Sequence, residues 1–253
     1  MGIEIKILTI NVHKGFTTFN QRFMLHELRE AIRLISADVV FLQEVLGEHR
    51  RWSRKHATHW PDASQYEFLA DSIWQDYAYG RNAVYTEGHH GNAVLSKYPI
   101  VDWKNLDISL NGIEKRGLLH CQLNVPGFGL PVHTVCVHLS LRERHRQIQL
   151  RRLCELVNSI PKKEPVIVAG DFNDWRQRSQ TVLKRQAGMH EIFSDAYGSP
   201  PKTFPAFFPI LKLDRIYVRS AETHMPLVLS KKPWSTLSDH APLLAEIELE
   251  GNP

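Results

Sequence analysis

Cysteine is scarce in this chain. The three present, Cys121, Cys136 and Cys154, are spread through apolar segments with no CxxC pair among them. That excludes a disulfide framework and reads as buried free thiols of a reducing compartment. Long apolar runs are absent too, since no window approaches the roughly 18 consecutive apolar residues of a membrane span. The opening MGIEIKILTI enters a strand pattern directly, without the basic start, long apolar stretch and small-residue cleavage site of a secretion signal. The expectation is a soluble, cytoplasmic protein. Neither sign of charge dominates: 31 Lys+Arg against 27 Asp+Glu leave a formal net charge of +4. This suits an anionic substrate without pointing to one. HExxH, Cys/His clusters at zinc spacing, GxSxG, the Walker loop and the Rossmann fingerprint are all missing. No linker, low-complexity tract or fixed-period repeat divides the 253 residues, so a single domain over 1–253 is expected.

What is there is a series of strands with polar ends. Residues 3–11 read as a strand with Ile3, Ile5, Ile7, Thr9 and Asn11 on one face. Residues 20–36 read as an amphipathic helix, with Asn20 as its N-cap and Phe23, Leu28, Ile32 and Ile35 along one stripe. The run DVVFLQE (38–44) is a second buried strand ending in a carboxylate. The basic segment 47–65 suits helix or loop equally. Strand patterns follow at 91–96, 100–109, 116–125 and 130–139, punctuated by Asn111-Gly112 and Pro126-Gly127. A helix over 143–160 buries Leu150, Leu153, Cys154, Val157 and Ile160. Then come the strand in PVIVAGDFNDW (165–175), a short helix near 179–186, a loop over 198–211, and strands at 213–218, 223–230 and 241–249. Hairpin runs broken by crossover helices predict two packed sheets with helices outside, an α/β sandwich.

The strand ends collect chemistry. They offer Asn11 and His13, then Glu44, His138, Asp171 and Asn173; Asp214 lies within a strand and Asp239-His240 precedes the last one. Asp171 and Asn173, two apart on an extended chain, project from one side; a turn with an Asx cap is the plain alternative. Singly each is an ordinary polar strand end; together they fit one polar cleft across the sandwich edge. Glu44, Asp239 and Asn11 are hard oxygen donors, which favour Mg²⁺ or Mn²⁺ over zinc. Carboxylates with such an ion, two histidines and a further aspartate suit water attack on a phosphoester.

Seven segments, in order, carry a family resemblance: TINVHKG, ADVVFLQEV, GNAVLSKYPI, HTVCVHLS, VAGDFND, LDRIYV and LSDHAPL. The chain resembles the endonuclease/exonuclease/phosphatase superfamily, the DNase I-like proteins. The resemblance implies a four-layer α/β sandwich with the site at one edge. It implies Glu44 as the main metal ligand, with Asp239 and Asn11 beside it. It implies Asp171 activating water, Asn173 holding that geometry, and His240 on the scissile phosphate oriented by Asp214. His138 takes the other histidine position; Glu87 and Glu114 are the candidates for its acidic partner.

Softer signals surround this set. Arg142, Arg144, Arg146, Arg151 and Arg152 scatter around the helix at 100° per residue rather than forming one basic face. Arg146 could instead brace the site. Phe204, Phe207 and Phe208 precede Asp214 and could stack on a base, meet a lipid, or simply pack their own loop. Asn92, in the GNA segment, is a substrate-binding candidate; His89 and His90 read as exposed loop histidines, and Trp234 as a rim residue. The expected function is a Mg²⁺-dependent phosphodiesterase acting on a phospholipid headgroup or other small phosphodiester. A DNA or RNA nuclease is the alternative, and a non-catalytic phosphate-binding module the reading of another class. No obligate protein partner is evident.

Overall fold

A computed structural model describes residues 2–17, 21–71, 73–110 and 114–249. Twelve strands form two mixed six-stranded sheets. The strands are β1 (Ile3–Asn11), β2 (Val39–His49), β3 (Asp76–Tyr85), β4 (Gly88–Ser96), β5 (Ile100–Asp107), β6 (Gly117–Asn124), β7 (Pro131–His138), β8 (Val166–Asp171), β9 (His190–Glu191), β10 (Asp214–Arg219), β11 (Ala221–Val228) and β12 (Leu243–Leu249). One sheet runs β11-β12-β1-β2-β4-β3 and the other β5-β6-β7-β8-β10-β9. The helices are α1 (Leu25–Ile35), α2 (Arg50–Lys55), α3 (Gln65–Ala70), α4 (Glu143–Ser159), α5 (Arg178–Ala187) and α6 (Ile192–Tyr197).

Three apolar layers hold this arrangement. Between the sheets lie Ile5, Ile7, Val39, Phe41, Cys136, Ile167, Ala169, Ile216 and Ile247. Outside the first sheet, Leu8, Ile10, Val40 and Leu42 meet Leu25, Leu28 and Ile32 of α1. Outside the second, Val135, Val137, Val166 and Val168 meet Leu150, Leu153 and Val157 of α4. Central strands are therefore apolar on both faces, which explains their unbroken hydrophobic runs. The result is a four-layer sandwich. No helix among the described residues is long and apolar enough to cross a membrane.

Parallel pairs sit at the middle of each sheet: β1 beside β2, and β7 beside β8. Their C-terminal ends thus point the same way within each pair, as α1 and α4 return the chain to the start of the next strand. The β7–β8 approach is close. Gly170 adopts φ +143°, and a Cβ there would lie 2.1 Å from the Val137 carbonyl oxygen, so only glycine fits.

The structure refines several sequence expectations. Segment 47–65 is neither all loop nor one helix: β2 continues to His49, α2 follows, and a Ser64/Glu67 capping box opens α3. Strand β3 escapes the periodicity reading because its burial is irregular, as an outer strand of its sheet. Helix α1 begins after Met24, without a side-chain cap, whereas Asn20 and the Asn111-Gly112 turn lie outside the described residues. His89 and His90 belong to β4 and are half-buried, His89 Nδ1 lying 2.9 Å from the Tyr79 hydroxyl. Trp234 is buried in the α1-side core, not on a rim.

Candidate active site

The C-terminal ends of β1, β7 and β8, the start of β10 and a bulge in the middle of β2 meet at one edge of the sandwich around a cleft of about 270 Å³. Asn11, Glu44, Arg116, His138, Asp171, Asn173 and His240 supply its polar lining. Leu141, Trp175, Phe204, Leu211 and Leu213 supply an apolar wall. Larger depressions exist beside α2 and at the start of α4, but neither gathers a comparable set of convergent groups.

Each polar group is aimed by a local device. Asn11 shares the inward face of β1 with Ile5 and Ile7; its Nδ2 donates to Asp171 Oδ2 at 3.3 Å, across the two sheets. Glu44 occupies a register shift between Leu42 and Val45, at φ +57°. Such a bulge re-aims a side chain that a regular strand would point elsewhere. Asp171 ends β8, and its Oδ1 accepts the Asn173 amide at 2.8 Å. Asn173, at φ +50°, donates Nδ2 to the Leu139 carbonyl at 2.9 Å. The Asx turn and the polar cleft are therefore the same feature. His240 donates Nδ1 to Asp214 Oδ2 at 2.8 Å, leaving Nε2 3.9 Å from Asp171 Oδ2. Ser238 locks this loop onto β1 by donating to the Asn11 carbonyl at 2.6 Å.

The electrostatics separate the groups. Burial opposes charge on His240, but Asp214, Asp171 and Asp239 outweigh it and raise its pKa to about 10. Burial lifts the Asp171 carboxyl to about 6, reinforced by Asp214 and opposed by His240. His138, 3.5 Å from Asp171, is pushed well below the ordinary imidazole range by burial and then by Arg116. Burial alone would raise the Glu44 carboxyl, yet Lys14, His138 and His13 hold it far below the usual range. Lys14 Nζ lies 2.5 Å from Glu44 Oε2. A carboxylate so strongly ionised, in a basin of oxygen donors with a cationic group already seated on it, fits a hard divalent cation. Asp171, Asp214 and His240 form a second grouping, with donor atoms within 4.8 Å of one another, that could bind a metal.

The remaining sequence candidates sit as follows. Asp239 is next to the cleft rather than among its lining residues, its Oδ2 3.8 Å from His13 Nδ1. Asn92 does not line the cleft either. It is buried and donates to the carbonyls of Gly117 and Cys136, tying β4 to the opposite sheet. Arg146 is wholly buried, donating to the Ser140 and Leu141 carbonyls and to Glu143. Its guanidinium lies 4.7 Å from the Trp175 ring centroid, so it props the wall from behind. Phe204 does line the cleft, with its ring 5.1 Å from His240. Glu87 lies near Arg54, and Glu114 has no hydrogen bond to His138. Sequence reasoning missed Lys14, Arg116, Leu141 and Trp175. Trp175 directly follows GDFND, and Lys14 directly follows His13, so adjacency was the available signal.

Comparison with known proteins agrees with this fold. Residues 8–240 match the model of the Endonuclease/Exonuclease/phosphatase family, and the chain belongs to that family. It is 59% identical over 246 residues to YbhP of Escherichia coli K12, covering 97% of each chain. Among solved structures, it is similar to an endonuclease/exonuclease/phosphatase protein from Beutenbergia cavernae (TM-score 0.76, 18% identity, 99% of this chain and 72% of that one). It is also similar to the mannosyl-6-phosphatase Bt3783 of Bacteroides thetaiotaomicron (0.74, 17%, 96% and 99%). A third is D. rerio TDP2 complexed with single strand DNA product (0.71, 20%, 96% and 98%). At these identities the structural likeness is one of fold.

Proposed function

We propose that this chain is a divalent-metal-dependent phosphodiesterase. The observation that carries the reading is the Asp171–His240–Asp214 relay set against an apolar wall. Asp171, with a pKa of about 6, is deprotonated at neutral pH and still basic enough to take a proton from an attacking water. Asn11 and the Asn173 amide hold its two oxygens in place. His240 is cationic and presents Nε2 to a phosphoryl oxygen, while Asp214 fixes its ring. His138, kept neutral, has a ring nitrogen for the same phosphate or the leaving oxygen. Asn173 and Arg116 complete the polar side. Glu44, with Asp239 and Asn11, would hold Mg²⁺ or Mn²⁺, which polarises a phosphoryl oxygen when bound. The three-residue grouping of Asp171, Asp214 and His240 suits proton handling better than metal binding, because a protonated imidazole has no lone pair to offer.

The wall favours a diester. Phe204, Leu211, Leu213, Leu141 and Trp175 line the same cleft as the polar groups, which offers an apolar ester substituent a surface to lie against. A lipid headgroup or other small phosphodiester is the substrate class this combination suits. Hydrolysis of bis-(p-nitrophenyl) phosphate beside p-nitrophenyl phosphate, with Mg²⁺, Mn²⁺ or EDTA, tests the reading on wild type and Asp171→Ala. Metal-dependent cleavage of the diester, lost in the variant, is expected. Cleavage of the monoester alone would make the protein a phosphatase, and tight binding without turnover of either would make it a binding module.

A further inference from the structure

The apolar wall does not stop at the cleft. Leu141, Trp175 and Leu211 line it and are exposed, and Phe207, Phe208 and Ile210, on the same loop as Leu211, are 63%, 69% and 54% accessible. Exposed apolar side chains are ordinary when scattered, but a contiguous group beside a site marks a surface that meets something. Four of the six belong to one loop, residues 204–211, which is rigidly built. Phe204 and Leu211 bridge as a short antiparallel pair, with Leu211 donating to the Phe204 carbonyl at 2.8 Å and Ile210 to the same oxygen at 2.9 Å. Ala206 donates to the Asp239 carbonyl at 2.8 Å, and Asp214 to Thr203 Oγ1 at 3.3 Å. The loop is thus tied to both catalytic segments, and its tips point outward for no internal packing reason.

Cations flank these apolar tips in sequence. Arg142 follows Leu141, Arg176 follows Trp175, Lys212 follows Leu211, and Lys202 stands at the base of the loop. None of the four has an ion-pair partner among the described residues, whereas the adjacent Glu143 is occupied by Arg146 and Arg178. Exposed apolar tips with cations beside them in sequence, unpaired among the described residues, complement a surface that is negative outside and hydrocarbon beneath. Half of the tips are aliphatic and have no π face, so the group is poorly matched to stacking on nucleic-acid bases.

We propose that this collar docks the protein on a lipid bilayer carrying anionic headgroups, placing the cleft at the level of the phosphodiesters. The proposal rests on the phosphodiesterase reading for its substrate but not for the docking itself, so the two can fail separately.

The test is flotation of the full chain, as wild type and as Phe207→Ser/Phe208→Ser/Ile210→Ser, with vesicles of phosphatidylcholine alone or mixed with phosphatidylglycerol. Bis-(p-nitrophenyl) phosphate hydrolysis and near-ultraviolet circular dichroism are run alongside. These three residues do not line the cleft, so the soluble diester should be cleaved equally and the fold retained. Wild type is expected to float with mixed vesicles, less at high salt. The variant should lose about 100-fold or more in partitioning, the effect of removing three partly immersed apolar side chains. Lys212→Gln/Arg176→Gln should weaken only the dependence on phosphatidylglycerol. Failure of wild type to float, or equal flotation of the triple variant, would overturn the proposal. So would a wild-type dimer, or retention of single-stranded DNA, that the triple variant loses in place of vesicle binding. Flotation without diester hydrolysis would leave the docking and refute the enzyme reading.

Discussion

Asp214→Asn separates charge from shape at the centre of the proposed relay. The amide keeps the size of the carboxylate but removes the negative charge 2.8 Å from His240 Nδ1. His240 has a pKa of about 10 against about 6.5 for a free imidazole, a difference equivalent to roughly 5 kcal/mol in favour of the charged ring. Asp214 is the foremost of the contributors that raise it, ahead of Asp171 and Asp239. A single opposite charge at this range accounts for roughly 1–3 pH units, so His240 should titrate near or below pH 9 in the variant. Because the folded pKa is raised, the stability that His240 confers is fully present below about pH 6.5 and is lost as pH rises through about 10. The stability gap between wild type and Asp214→Asn should therefore close in the alkaline range. The direct assay is the His240 Cε1–H resonance of metal-free protein followed from pH 5 to 11 by NMR, about the range that brackets both values. If turnover needs the imidazolium, the variant's kcat should begin to fall with rising pH at the lower titration point. Unchanged titration in the variant, or a wild-type ring already neutral at about pH 8, would refute the charged-relay argument.

Other expectations follow from contacts already described. Asp171→Ala and His240→Ala should each lower kcat by about 10²–10⁴-fold, the usual contribution of a positioned proton-transfer group; activity within a few-fold of wild type would misplace the site. Glu44→Ala should weaken metal affinity, read by calorimetric titration with Mn²⁺, and regain part of its rate in excess Mg²⁺; no change in affinity would remove Glu44 from the ligand set. Gly170→Ala should destabilise by about 2–4 kcal/mol in urea denaturation, since its Cβ would meet the Val137 carbonyl oxygen. A neutral result would mean that β7 and β8 separate easily. Arg146→Ala should cost about 1–3 kcal/mol by leaving the Ser140 and Leu141 carbonyls without their donor, while Glu143 keeps Gln147 and Arg178. An Arg146→Ala protein of unchanged stability but altered KM would make Arg146 a substrate contact instead.

How much of this was legible before the fold was known depended on periodicity and local order. Strands β1, β7 and β8 announce themselves because they are apolar on both faces and end abruptly in polar residues, whereas β2 runs on past Glu44, which reads as its end, to His49. The helix stripe Leu150–Leu153–Cys154–Val157 is equally plain, and all four residues are buried. Strand β3 carries no such pattern, and a two-residue strand like β9 cannot. In the site, the proximity of Asn11, Asp171, Asp214 and His240 was readable as strand ends, but orientation was not. The bulge that swings Glu44 inward and the cation of Lys14 upon it depend on the pairing of β2 with β4 and on the turn after β1. Arg146 shows the converse. A wheel drawn from sequence places it near the apolar stripe, yet only the packed wall of Leu141 and Trp175 explains how a guanidinium is accommodated there.

The hydrogen bonds from Asn11 to Asp171 and from Ser238 to the Asn11 carbonyl join residues 160 and 227 positions apart. A growing chain cannot make either contact until the distant segment has been synthesised, and closing such long loops is slow. The proposed catalytic cluster is consequently a reporter of completed assembly: a partly made chain that has formed the sheet of β5 to β10 holds His138, Asp171 and Asp214, while β1 still lacks its partner β12 and His240 is missing. Any hydrolytic capacity would switch on at the moment the two sheets join, after the ribosome has passed the last of these residues.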